Sequence, residues 1–228
     1  MKRKEKRTLV LGLVFLGLFG LWTAMIQLID VQPIGSRGTN IGFATLNSWF
    51  HNLTGVDMTI YTITDWMGFI PIFICVVFGL IGLIQLIKRK SLLKIDHDIL
   101  ILGIYYIIVI LCYSIFEIIP INYRPILIEG YLETSYPSST TLLALSVIPT
   151  LVEYLNRRMI NTRIKRGINI IAVFISFYMV VGRLICGVHW FTDIVGAVLL
   201  CIGLFYIYKA SIMICIRKKL GGKYNEIS

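Results

Sequence analysis

Apolar residues in this chain come in long runs, and the polar residues gather between them. Six runs stand out, at about residues 8–30, 61–87, 98–120, 139–154, 167–184 and 193–216. A helix needs about 20 predominantly apolar residues to cross the hydrocarbon of a bilayer. Most of the runs reach that length, and the fourth is the shortest. The pattern predicts an all-α integral membrane protein, a six-helix bundle, with residues 1–228 forming one membrane domain. The first run follows the basic stretch KRKEKR, but it is long for a signal peptide and lacks a small-residue cleavage site, so it reads as an uncleaved anchor.

The connection at 31–60 has its own pattern. Leu46, Trp49, Phe50 and Leu53 recur at i, i+3, i+4 and i+7. That spacing predicts an amphipathic helix within about 39–56, lying in the interface. A lid over a site, or ordinary packing, would use the same spacing.

Composition sharpens the class. The chain is 57% hydrophobic with a mean hydropathy of +0.82, above the roughly 45–50% apolar content of soluble domains. A net charge of +10 would suit nucleic acid if spread over one face, but the basic residues flank the apolar runs instead. Eighteen of the 22 Lys and Arg residues lie in the N-terminus, the second and fourth connections and the C-terminus. Alternating spans put all of these on one side. The opposite side holds Arg37, Arg124 and Arg183, and Lys209 lies within the last run. The positive-inside rule then makes both termini cytoplasmic and turns the 121–138 and 184–192 connections outward. The five cysteines are scattered without CxxC or Cys/His spacing, so neither a disulfide framework nor a metal site is expected. They read as small buried hydrophobes.

Candidate chemistry sits in those outward connections. "NYRPILIEGYLETSYPSSTT" (Asn122–Thr141) is a polar loop between two greasy runs, and "GRLICGVHWFTD" (Gly182–Asp193) joins the last two. Ionisable groups at membrane depth are costly and point to function, with snorkelling to the interface as the plainer account. If the sixth helix begins near His189, Asp193 four residues on shares its face. Asp193 could then accept the proton-bearing ring nitrogen of His189, leaving the other nitrogen as a nucleophile or base. Ser138 or Ser139 suits the N-cap of the fourth span, and a helix N-terminus favours anions.

The second stretch resembles the third signature of the type 2 phosphatidic acid phosphatases, the PAP2 family: an Arg, five residues, a His, three residues, an Asp. "NYRP" resembles the end of the first signature and "YPSST" the second, usually Pro-Ser-Gly-His. Order, spacing and the six-span plan agree over the third to sixth spans. The resemblance implies that His189 attacks phosphorus to give a phosphohistidine, with Asp193 orienting it. Arg124, Arg183, Ser138 and backbone N–H groups near Ser139 would hold the phosphate oxygens. Phosphoryl transfer is largely positioning and charge stabilisation, which arginines supply bidentately. The scheme requires no metal or cofactor.

Two positions depart from the family pattern. Glu117 stands where the first signature opens with Lys, and Thr140 where the second ends in His, the general acid. Glu117 could pair with Arg124 or Arg183, or be protonated by burial. Threonine cannot act as a general acid near neutral pH, and losing such help costs about 10²–10⁴-fold. Three readings follow: a lipid-phosphate binder without turnover, an enzyme with another acid (Glu117, Glu129 or Glu133), or an enzyme whose leaving group needs none. A phosphate leaving group has a second pKa of about 6, against about 15.7 for water-like alcohols. This favours an isoprenoid diphosphate such as undecaprenyl diphosphate over phosphatidate or phosphatidylglycerophosphate. The expected setting is a bacterial plasma membrane, with the site facing outside, a membrane lipid phosphate or diphosphate as partner and no nucleic acid.

Overall fold

The computed structural model describes residues 2–225, with side chains through residue 217. Eight helices run in order: α1 (Arg3–Leu28), α2 (Ala44–Thr54), α3 (Met58–Met67), α4 (Phe69–Arg89), α5 (His97–Ile118), α6 (Ser139–Arg158), α7 (Thr162–Ile185) and α8 (Phe191–Asn225). Among the described residues the connections add two short 3-10 turns, Ser36–Gly38 and Leu92–Lys94, and isolated β-bridges. Among the described residues, five spans are long and apolar enough to cross a membrane: α1, the stretch Met58–Arg89, α5, α7 and the Phe191–Arg217 part of α8.

The stretch Met58–Arg89 is one apolar span interrupted at Gly68, between α3 and α4. Pro71 lacks the N–H that would bond back to the Met67 carbonyl, which loosens the ladder there. It begins before the expected residue 61 because Asp57 caps it, its carboxylate accepting the Thr59 and Ile60 N–H groups.

The fourth run becomes α6, extended to Arg158 rather than ending near 154. It is the least apolar of the long helices and among the most enclosed, since α4, α5, α7 and α8 all pack against it. Shielding from lipid explains its buried Thr140, Thr141, Ser146 and Thr150. The Thr150 hydroxyl returns its hydrogen bond to the helix itself, at the Val147 carbonyl 2.8 Å away. The main core lies between α5, α6 and α8, around Leu102, Val109, Leu142, Val147 and Leu200.

α1 lies along α8 at close range. A Cβ on Gly12 would come 2.8 Å from Ile207, and one on Gly203 would come 2.8 Å from Leu16. Small residues let membrane helices approach to backbone contact, which dispersion forces then reward.

The bundle has two unlike ends. At one, ion pairs join Arg158 to Asp98 at 2.5 Å, Arg89 to Asp96 at 2.8 Å and Arg217 to Glu5 at 3.4 Å. At the other lie the connections around α2, between α5 and α6, and between α7 and α8. There α2 exposes Trp49 and Leu53 and buries Asn47. The Asn47 amide donates to the Gly42 carbonyl and the Thr192 hydroxyl, and its carbonyl accepts the Thr192 N–H. This ties α2 to the start of α8.

Candidate active site

The connection 186–190 carries His189, and its shape depends on Gly187. That residue has φ +70, and a Cβ there would stand 2.0 Å from the Gly55 carbonyl oxygen. Only glycine takes both the left-handed backbone and the close approach without strain. The Asp57 N–H donates to the Cys186 carbonyl at 3.1 Å. The chain entering α3 is thus laid directly against the histidine loop.

His189 is 3% exposed and precedes α8, which starts at Phe191, so it does not share a helical face with Asp193. Its Nδ1 lies 3.1 Å from the Ser135 carbonyl oxygen and 3.7 Å from Asp193 Oδ2. A carbonyl can only accept, so Nδ1 carries the proton and Nε2 presents a lone pair. Asp193 is engaged elsewhere. Its Oδ2 accepts the Trp190 N–H at 2.9 Å, and its Oδ1 accepts the Asn122 amide at 3.0 Å. Asp193 therefore holds the histidine loop and the Asn122 strand-like segment together. The Trp190 indole adds a second tie, donating to the Tyr123 carbonyl at 2.8 Å.

Two arginines face the same region. Arg124 donates its backbone N–H to the Glu133 carbonyl at 3.0 Å, and its Nε lies 3.0 Å from the Glu133 carboxylate. Arg183 is 1% exposed. Its Nη2 donates to Asp65 Oδ1 at 2.5 Å and to the Thr140 hydroxyl at 2.7 Å. Both guanidinium groups stand over the Tyr61 ring, at 5.9 Å for Arg124 and 4.8 Å for Arg183. Ser138 takes the N-cap position of α6, but its hydroxyl makes no capping bond.

Among the described residues, Arg124 Nη1, Arg183 Nε and Nη1, Ser138 Oγ and His189 Nε2 are buried without a hydrogen-bond partner. Unpaired buried polar groups are costly, so a cluster of them calls for a ligand. Four are donors and the fifth is a lone pair, which suits an oxyanion with an electrophilic centre. Burial pushes the His189 pKa down to about 4; Asp193 opposes this, while the nearby Arg124 and Arg183 charges add to it. The ring is therefore neutral at pH 7.

A cavity of about 320 Å³ opens onto His189, with Arg124, Ser139, Glu117, Glu133 and Tyr113 among its lining. Glu117 pairs with neither arginine and accepts the Thr134 hydroxyl instead. Thr140 is not part of that lining; its hydroxyl holds Arg183. Glu129 also lies outside it, at a left-handed turn position with φ 50. Sequence reasoning missed Asp65, Tyr61, Asn122 and Ser135. Asp65 offered a signal, as a carboxylate inside an apolar run. Ser135 offered none, because it acts through its backbone carbonyl. Among the described residues no group of three His, Cys, Asp or Glu side chains is arranged to hold a metal ion.

No curated protein matches the chain at a significant level. Among solved structures, the fold matches the crystal structure of the first transmembrane PAP2 type phosphatidylglycerolphosphate phosphatase, from Bacillus subtilis. The TM-score is 0.62 and the identity 19%, covering 87% of this chain and 94% of the other. The profile of the PAP2 superfamily matches residues 98–216, more than half of the chain and the whole of the segment that carries the arginines and the histidine. By that match this multi-pass membrane protein belongs to the PAP2 superfamily of phosphatases.

Proposed function

We propose that this membrane lipid phosphatase removes a phosphate from an isoprenoid diphosphate resembling undecaprenyl diphosphate. The observation that carries the reading is the set of unpartnered buried donors around His189 Nε2. In this scheme the terminal phosphate sits against Arg124, Arg183, Ser138 and the N–H groups that open α6 near Ser139. His189 Nε2 attacks phosphorus, the bridging P–O bond breaks with its electron pair leaving on the lipid monophosphate, and a phosphohistidine forms. Water then cleaves the P–N bond, returning the lone pair to Nε2. Asp193 acts by holding the loop, and the Ser135 carbonyl fixes the tautomer.

The diphosphate preference follows from the leaving group. Thr140 spends its hydroxyl on Arg183, so no acid stands where the family usually has one. A lipid monophosphate leaves readily without protonation, and an alkoxide does not. One observation favours a second reading: Glu117 and Glu133 line the cavity, and either could protonate an alkoxide leaving from phosphatidate or phosphatidylglycerophosphate. A protein that binds lipid phosphate without turnover is the third.

The proposed topology has six spans, with enclosed α6 added to the other five as the fourth in chain order. Both termini are cytoplasmic, and the site faces outside a bacterial plasma membrane. The 18-to-3 distribution of basic residues supports this orientation. The whole of residues 1–228 forms one membrane domain, with α2 lying in the outer interface.

Phosphate release by the purified protein tests the reading, with undecaprenyl diphosphate and phosphatidic acid offered in parallel and His189→Ala as control. Release from the diphosphate alone, lost in the variant, is expected. Preferential release from phosphatidic acid would overturn the leaving-group argument, and lipid binding with no release would leave a binder.

A further inference from the structure

At the basic end of the bundle, where α7 begins rather than where it leads to the histidine, α6 and α7 leave a groove between them. It has a volume of about 770 Å³, with Asn156, Lys165, Arg166 and Asn169 at its polar part and Val173 and Phe177 beyond. It continues along the same helices into a second hollow of about 560 Å³, lined by Leu145, Pro149, Ala172 and Phe205, with Glu153 at its edge. The two share Asn169, Val173 and Phe177. The result is a channel that is polar at one end and apolar along its length, open on the side of the bundle.

The polar end is built for a particular charge. Lys165 and Arg166 both line it, two cations that suit an anionic headgroup. Asn156 and Asn169 are joined by an amide hydrogen bond of 2.9 Å. That bond leaves Asn156 Oδ1 buried with no partner. A buried acceptor without a donor points to a ligand that brings one. A phosphodiester offers no donor of its own, but a hydroxyl on the headgroup does. The apolar lining of the continuation suits an acyl chain, and basic pockets between transmembrane helices at the cytoplasmic side bind anionic headgroups.

We propose that this groove is a binding site for an anionic phospholipid with a hydroxyl-bearing headgroup, of the phosphatidylglycerol type, separate from the phosphatase site. Lys165 and Arg166 take the phosphodiester, Asn156 Oδ1 accepts from the headgroup hydroxyl, and one acyl chain lies between α6 and α7 toward Phe205.

Lipid retention by the full chain, followed by native mass spectrometry, tests this. The protein is exchanged into micelles holding equal phosphatidylglycerol, phosphatidylethanolamine and phosphatidylcholine. Each juxtamembrane cation contributes a factor of about five in affinity for an anionic lipid, so two give about thirtyfold. Retention of phosphatidylglycerol over phosphatidylcholine is expected at about that ratio. It should fall near parity in Lys165→Gln/Arg166→Gln and persist in Lys2→Gln/Lys4→Gln, which removes the same charge elsewhere at that end. Val173→Trp, which fills the groove while keeping both cations, should also lose the lipid. Preference for phosphatidylethanolamine, or a ratio that drops equally in both double variants, would overturn the site. Turnover at His189 should be unchanged in all three variants, so failure here is distinct from failure of the phosphatase reading.

Discussion

Acidification tests the environment of His189 directly, because its burial sets where the ring takes up a proton. With a pKa of about 4, the ring is about 90% neutral at pH 5, whereas an ordinary histidine near 6.5 would be about 3% neutral. The neutral ring, which the proposed scheme uses as nucleophile, thus differs about thirtyfold between the two cases. The depression from 6.5 to about 4 corresponds to about 3 kcal/mol between the protonation states. The sign is that of a buried neutral base. Between pH 6.5 and 4 the unfolded chain binds the proton and the folded one does not, so stability falls as pH drops through this window. Above pH 6.5 nothing is lost, and below pH 4 the whole cost is present.

The assay is ¹⁵N NMR of the histidine rings in detergent. The chain has three histidines, so substitution of His51 and His97 leaves one titrating signal. A His189 midpoint near 4 is expected. Arg124→Gln should raise it, since the Arg124 charge helps to disfavour the imidazolium. A midpoint near 6.5 in the parent would refute the burial argument, and an unmoved or lowered midpoint in the variant would refute the part assigned to charge.

Three further outcomes are expected. Asp65→Asn removes the carboxylate that holds Arg183 Nη2; KM should rise about tenfold, about 1.4 kcal/mol, with little change in kcat, and steady-state kinetics showing an unaltered KM would remove Asp65 from the site. Thr140→Val deletes the hydroxyl that accepts from Arg183 without deleting an acid. It should lower kcat/KM about tenfold, consistent with a lost charge-assisted hydrogen bond of about 1.5–3 kcal/mol, and leave the pH profile in place; a displaced alkaline limb would show that Thr140 takes part in proton transfer. Gly187→Ala meets the Gly55 carbonyl and a left-handed backbone at once, so it should cost more than about 2 kcal/mol, read as a lowered Tm, and reduce turnover because the His189 loop must shift.

Much of this protein was legible one residue at a time. Apolar runs and basic flanks are local properties, set by the free energy of moving side chains into hydrocarbon, and they located the spans without reference to neighbours. The Arg183, His189 and Asp193 spacing is local too, since it spans one turn and one helix start. Boundaries were less legible where a single residue overrides hydropathy, as Asp57 does by capping α3 and Pro71 by loosening the join to α4. α6 was the hardest helix to read, because a helix enclosed by others tolerates hydroxyls that a lipid-facing one does not.

What the tertiary structure alone decided is who pairs with whom. Asp193 stands four residues from His189, yet the imidazole proton goes to the Ser135 carbonyl, 54 residues away. Glu117 stands at the family's Lys position and was a candidate partner for Arg124 or Arg183, yet Glu133 and Asp65 claim them. Pairing depends on distances and angles between segments far apart in the chain, and a hydrogen bond to a backbone carbonyl leaves no mark on residue type. The sequence by itself determined a membrane bundle with a histidine and two arginines at one end. The packing of the connections decided which groups are already satisfied and which remain free to meet a phosphate.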